Sequence, residues 1–332
     1  MTSIERLERT GLRRLPSSKK GWHDARSRSA RPSDLRRIAA LRIPPAWRDV
    51  RVSPSASAKL QAVGRDGAGR WQYIYHEKWV RRSDRRKYAR LARFIQSLPK
   101  LRRAVASDLH SKGLPRNRVL ACMVRILMSH FIRPGSAAYE RQNGTYGLTT
   151  LRRRHVRLAS GAVAFEFTGK SGKVQQVVIR DRAVVRVLRE LFAREGNPFF
   201  RHETEDGKLA PVKPGDLNTY IHEKMDGEFS AKDFRTWAGS LLCAGALARA
   251  AARGEAPTKR LVAEAVREAS DALHNTPAVA RASYIAPRIL ETFEKGITVD
   301  HAVGSVDALA SRTGLDVTEK SLLGLLETPL KS

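Results

Sequence analysis

Apolar positions along this chain change character in blocks. Up to Leu35 they are sparse and aperiodic among scattered Arg13, Arg14, Pro16, Lys19, Lys20, Arg26, Arg28, Arg31 and Pro32, so residues 1–35 are expected to form a loosely ordered basic arm. Short extended pieces follow, Trp47 to Val52 and Trp71 to Tyr75, separated by the turn signal Gly64-Arg65-Asp66-Gly67, which predicts a small, mainly β module over 36–85. Leu91, Phe94, Ile95 and Leu98 then recur at helical spacing, and Arg118 to Phe131 reads as a core helix that stops at Pro134-Gly135. From His155 to Ile179 the period becomes two: Val156 and Leu158, then Val163, Phe165 and Phe167, then Val174 to Ile179 beyond the turn Gly169-Lys170-Ser171-Gly172-Lys173. This is a hairpin or three-stranded meander. Ala183 to Arg194, Pro214 to Met225, Thr236 to Arg253, Lys259 to Leu273 and Pro287 to Glu294 read as helices. The expected fold class is α+β: the β module, a mostly helical domain over 86–296 that contains the meander, and a helical extension over 297–332.

Charge narrows the function. Of 332 residues, 62 are Lys or Arg and 33 are Asp or Glu, a net +29, while the 42% apolar fraction is too high for a disordered basic tail. A folded chain this basic implies a polyanionic partner, with nucleic acid first. From Arg81 to Arg103 there are ten basic residues and one acidic, so one helix face packs and the other stays positive, as a nucleic-acid contact requires. No stretch is apolar enough to span a bilayer, and charges occupy the place of a signal peptide between Met1 and Arg14, so a cytoplasmic protein with no membrane partner is expected. Cys122 and Cys243 lie far apart and form no zinc half-site. There is no G-x-S-x-G, HExxH, P-loop or paired-Mg²⁺ acidic cluster, and neither a metal nor another cofactor is expected. What remains is Arg, Lys and Tyr. These can perform phosphoryl transfer when a tyrosine is the nucleophile and cations stabilise the transition state.

Five stretches in order carry a resemblance: QAVGRDGAGRWQYIYH (61 to 76), FIRPGSAAYERQNGTYGLTTLRRRHV (131 to 156), FTGKSGK (167 to 173), AKDFRTWAG (231 to 239) and HNTPAVARASY (274 to 284). Together they resemble the type IB DNA topoisomerases of the poxvirus-like and bacterial group, from about Leu41 to about Phe293. The resemblance implies relaxation of supercoiled duplex DNA without ATP. Tyr284 would attack phosphorus to give a 3′-phosphotyrosyl enzyme and a free 5′ hydroxyl, the strand would rotate, and religation would follow. Arg133 and Arg235 would grip the non-bridging oxygens of the scissile phosphate, with Lys170 protonating the departing 5′ oxygen. Members often have His directly before T-P where this chain has Asn275, whose NH₂ can still donate to a phosphoryl oxygen; Asn275, not His274, takes that role. Lys232, one helical turn from Arg235, would assist proton transfer or bind phosphate. Strand alternation puts Trp71, Tyr73 and Tyr75 on one face and Arg70 and Gln72 on the other, and with Tyr139 and Arg141 these are the expected DNA contacts. A monomer closing on DNA as a clamp is implied.

Singly, each residue has a plainer reading: Arg133 as a cation at a helix C-terminus, Lys170 and Lys173 as turn residues, Tyr284 and the strand tyrosines as core aromatics. Joint occurrence in one chain favours the chemical reading. Two rivals stay open. A tyrosine recombinase shares the chemistry, and Leu309, Leu315, Leu322, Leu323, Leu325 and Leu326 would suit a tail docked into a neighbouring subunit. A non-enzymatic basic DNA- or RNA-binding protein would need only the charge.

Overall fold

The structure, a computed structural model, describes residues 3–15, 21–301 and 306–328. The chain divides into two compact units, residues 1–87 and 88–332.

The first unit is built on a five-stranded antiparallel sheet in the order β2-β1-β3-β4-β5, from β1 (Leu12–Arg14), β2 (Trp22–His23), β3 (Arg48–Val52), β4 (Leu60–Arg65) and β5 (Trp71–Tyr75), with helices α1 (Ser3–Thr10) and α2 (Pro32–Ala40). Leu12, Ile38, Val50, Val52 and Ala62 form its core, and Trp22, Trp47 and Ile74 pack against it. Two expectations are corrected here. The loosely ordered arm over 1–35 contributes α1, the start of α2 and two strands, because Leu12 pairs with Val52 and adds a hairpin to the sheet. Its Pro16, Lys19 and Lys20 lie outside the described residues. The turn placed at Gly64–Gly67 sits later: β4 runs through Arg65, and the Asp66 amide bonds the Arg70 carbonyl around Gly69, which has φ +74°. Gly64 is a strand glycine, since a Cβ there would lie 2.8 Å from the Trp47 ring.

Helix α3 (Glu77–Leu109) continues the chain into the second unit. There it buries Leu91, Phe94, Ile95, Leu98 and Leu101 around α4 (Arg116–His130), which is buried from Arg118 to Met128. After α5 (Ala137–Asn143) comes the meander β6 (Val156–Ala159), β7 (Ala162–Thr168) and β8 (Val174–Ile179), in register Val163↔Ile179 and Thr168↔Val174, with Val163, Phe165, Phe167, Val177 and Ile179 facing the core. The remaining elements are α6 (Arg182–Phe192), the hairpin β9 (Arg201–Glu203) and β10 (Leu209–Pro211), α7 (Pro214–Lys224), α8 (Asp233–Ala252), α9 (Lys259–Ala272), α10 (Pro277–Ser283), α11 (Pro287–Phe293), α12 (Val306–Ser311) and α13 (Val317–Glu327). The α+β class holds, with helices dominating this unit.

The tail is part of the second unit. Helix α12 packs on α4 and α13 on α8. Glu319 accepts two hydrogen bonds from Arg102 of α3, at 2.8 and 2.9 Å, and both side chains are fully buried. Asp316 and Glu319 cap the start of α13 reciprocally, and Arg102 also donates to the Gly314 carbonyl. Leu309 and Leu322 are consequently buried inside their own chain, and Leu315, Leu323, Leu325 and Leu326 are half-buried against the same core.

Candidate active site

Four segments of the second unit meet around a cavity of about 310 Å³ lined by Arg133, Pro134, Gly135, Ser136, Thr145, Tyr146, Lys170, Lys232, Arg235 and Tyr284. Helix α4 ends with Phe131 in the left-handed conformation, which turns the chain sharply so that Arg133 points back into the cavity. The loop carrying Arg133 is held by a crossing strand of chain: Leu148 and Thr149 donate to the carbonyls of Arg133 and Pro134. This crossing requires glycine, because a Cβ on Gly147 would lie 2.5 Å from the Gly135 Cα.

Arg235 stands in the first turn of α8 and is only 3% exposed. It donates to the backbone carbonyls of Phe131 (2.5 Å) and Leu273 (2.8 Å), partners that fix the guanidinium without neutralising it. Burial and the Arg133 charge lower its pKa, though an arginine stays cationic. The Tyr284 ring lies 4.9 Å from the Arg235 guanidinium carbon. Burial pushes the Tyr284 phenol up, but the charge and hydrogen bonding of Arg235, then the charges of Arg133 and Lys170, outweigh it and leave the phenol below its ordinary value. A more readily ionised phenol is a better nucleophile at neutral pH.

The H-N-T-P segment resolves into separate tasks. His274 takes a left-handed φ of +49°, Thr276 caps α10 by accepting from the Val279 amide, and Pro277 occupies the first turn. Asn275 accepts from Arg133 through Oδ1 at 2.6 Å, while its buried Nδ2 has no protein partner among the described residues. That amide NH₂ is a free donor beside a fixed arginine. His274 is held below its ordinary pKa by burial, then by the charges of Arg235, Arg133 and Lys173.

Lys170 stands exposed in a single 3₁₀ turn between β7 and β8, on a loop closed by the Gly169 amide donating to Lys173. Lys232 is exposed at the N-cap of α8, next to Asp233, whose carboxylate is held by Arg90 and Ser230. Cys122 and Cys243 are both buried, and burial pushes the Cys122 thiol up and the Cys243 thiol up to about 12, which makes them inert.

The groups that seat Tyr284 lie outside the expected site residues. The Ser240 hydroxyl donates to the Tyr284 carbonyl and accepts from the Ala286 amide, and Tyr88 donates to the Ile285 carbonyl. Gly239 lets this segment close in, since a Cβ there would lie 2.9 Å from that of Tyr284. Gly239 ends the quoted AKDFRTWAG stretch, a signal that was present; Ser240 and Tyr88 carried none.

The expected DNA contacts divide. On β5, Tyr73 and Tyr75 are 43% and 42% exposed and stack at 6.2 Å, whereas Arg70 and Gln72 converge on the Asp66 carboxylate. Arg141 is exposed on α5, and the Tyr139 side chain lies outside the described residues. Within the basic helix run, Arg102 is buried on Glu319 and Arg90 is tied to Asp233, so neither belongs to its outward positive face. A larger hollow of about 890 Å³ in the first unit borders Tyr73 and Tyr75 but is lined by none of the residues around the 310 Å³ cavity.

Comparison with known proteins decides the family. Residues 76–300 match the eukaryotic DNA topoisomerase I catalytic core, and residues 22–66 match the N-terminal domain of bacterial DNA topoisomerase IB. The chain belongs to the type IB DNA topoisomerases. It is similar to DNA topoisomerase 1B of Acanthamoeba polyphaga mimivirus, at 35% identity over 79% of this chain and 80% of the relative. It is also similar to DNA topoisomerase 1B of vaccinia virus, strain Copenhagen, at 23% identity over 76% of this chain and 83% of the relative. The topoisomerase therefore acts on DNA through transient strand cleavage and religation, as its family does. No helix among its described residues is long and apolar enough to cross a membrane.

Proposed function

We propose that Tyr284 is the nucleophile and that Arg133, Arg235 and Asn275 form a fixed set of donors for the oxygens of the scissile phosphate. The observation that carries this is Arg235: a buried guanidinium held by two backbone carbonyls, with the Tyr284 phenol hydrogen-bonded to it and no carboxylate partner among the described residues. It retains a full charge for an anion that must come from outside. Donors fixed before the reaction stabilise developing charge without reorganising, which is where most such catalysis arises. Lys170, exposed on its turn, is the general acid for the leaving 5′ oxygen, and Lys232 assists it or binds phosphate.

Because the phosphotyrosyl ester replaces a phosphodiester, its energy returns at religation and ATP has no part. DNA contacts are assigned to Tyr73, Tyr75, Arg70, Gln72, Tyr139 and Arg141, with a β-containing DNA-binding module in the unit 1–87 and the catalytic domain in the unit 88–332. The functional form is a monomer that closes on duplex DNA as a clamp in the cytoplasm.

Relaxation of a supercoiled plasmid without Mg²⁺ or ATP tests the assignment when Tyr284→Phe is run beside the unaltered chain. The variant should bind DNA and yield no covalent adduct. An adduct at the unaltered level would mean that another residue is the nucleophile.

A further inference from the structure

Tyr146 lines the same cavity as Lys170, and three contacts fix it. Its amide donates to the Thr168 carbonyl at 2.8 Å, two residues before Lys170. Its ring meets His155 at 4.3 Å, edge on. Its phenol oxygen accepts from the Arg154 guanidinium at 2.8 Å.

That last bond sets the polarity of the hydroxyl. A phenol has one proton to donate, and because the oxygen is already accepting from a cation, the proton is directed elsewhere and strengthened as a donor. His155 supports the arrangement: its Nδ1 accepts from the Arg152 amide, and burial, then the Arg154 and Arg152 charges, lower its pKa and keep the ring neutral. The result is a rigid neutral donor backed by a positive charge: Tyr146 lines the cavity of Lys170 and also a second hollow of about 380 Å³, where Arg154 and His155 stand. Such a donor suits an anionic oxygen.

The scissile phosphate is already supplied by Arg133, Arg235 and Asn275, while Lys170 addresses the leaving oxygen. A DNA strand presents its next phosphate one nucleotide further, about 3.4 Å along the helix axis. We propose that Tyr146, oriented by Arg154, binds the phosphate one nucleotide beyond the leaving 5′ oxygen and so holds the strand that cleavage releases. This rests on Lys170 being the general acid: Tyr146 is hydrogen-bonded to the strand end that leads into the Lys170 turn, which puts it on the leaving-strand side. Tyr146 is then a binding residue and Arg154 a positioning residue that acts through it.

The test uses duplexes in which one phosphate at a time, on either side of the cleavage site, is replaced by a neutral methylphosphonate, with single-turnover cleavage and religation measured for the full chain. On natural DNA, Tyr146→Phe should lose roughly ten- to a hundredfold in religation, the size of one hydrogen bond to a charged group. Neutralising the downstream phosphate should impose a similar loss on the unaltered chain and almost none on Tyr146→Phe, while other positions affect both alike. Arg154→Ala, which keeps the phenol, should lose less and show the same selective insensitivity. The proposal is overturned if the two losses multiply at that phosphate, if the insensitivity appears at an upstream phosphate, or if Tyr146→Phe religates normally. Failure of the Lys170 assignment would be seen separately, in Lys170→Ala acting on a substrate with a sulfur leaving group.

Discussion

Arg102 and Arg235 are both buried arginines of the catalytic unit, but their surroundings differ in one respect. Arg102 meets a carboxylate, Glu319, and lies 5.9 Å from the Trp237 ring centroid; Arg235 meets the carbonyls of Phe131 and Leu273 and the Tyr284 phenol, and no carboxylate among the described residues. A buried ion pair is internally compensated and leaves nothing for a ligand. A buried cation on neutral acceptors remains a source of field. The same residue type thus acts as a fastener in one region and as a receptor in the other, and the missing carboxylate distinguishes them.

The largest expected effect tests the receptor. Arg235→Ala should slow cleavage by about 10³–10⁵, the usual effect of a transition-state arginine. It should also move Tyr284 ionisation to higher pH, because the leading positive charge that holds the phenol down is gone. Ultraviolet titration of the free enzyme checks the sign: a phenolate forming at the same or lower pH in the variant would break the contrast between the two arginines.

Next is Lys170→Ala, expected to lose about 10²–10⁴ as a missing general acid. With sulfur in place of the bridging 5′ oxygen, the leaving group needs little protonation. Lys170→Ala should recover most of its rate on that substrate while Arg133→Ala and Arg235→Ala stay slow. Equal impairment on both substrates would make Lys170 one more electrostatic residue.

Glu319→Gln tests the fastener. It leaves Arg102 charged and buried without its counter-ion and should cost about 3–5 kcal/mol in denaturant unfolding. Replacing both partners, Arg102→Met with Glu319→Leu, should recover much of the loss, since an apolar pair replaces a buried ion pair with little penalty. No recovery would mean that Arg102 contributes by something other than its charge.

The smallest effect concerns the amide. Asn275→Ala should cost about 10²–10³ in cleavage, as one lost donor does. Neither this site nor His274, whose pKa is lowered, should give the cleavage rate an inflection near pH 6.5. An inflection there, abolished by His274→Ala, would transfer the role to the ring.

The long periodic elements were legible. Leu91, Phe94, Ile95 and Leu98 declared α3, and the alternation from Val163 to Ile179 declared the meander, because each buries one face with a regular period. Strands of three and two residues, β1 and β2, are too short to show a period and depend on pairing with β3, which no local pattern announces. Gly64 reads as a turn residue until Trp47 is seen above it. In the site, four of the five quoted stretches contain side chains that line the cavity. The partners that hold them were hidden, because Phe131 and Leu273 act through backbone carbonyls and Ser240 through a hydroxyl whose neighbours are distant in sequence.

The Arg102–Glu319 bond also sets a schedule for synthesis. Its two halves are 217 residues apart, so at roughly 5–20 residues per second Arg102 waits about 10–40 s on the ribosome for its carboxylate. Throughout that interval α3 carries an uncompensated charge in the place where the core must close. Arg133, Arg235 and Tyr284 all emerge before Glu319 does, so a nascent chain holds every residue proposed to act in cleavage before it can lock the unit that aligns them.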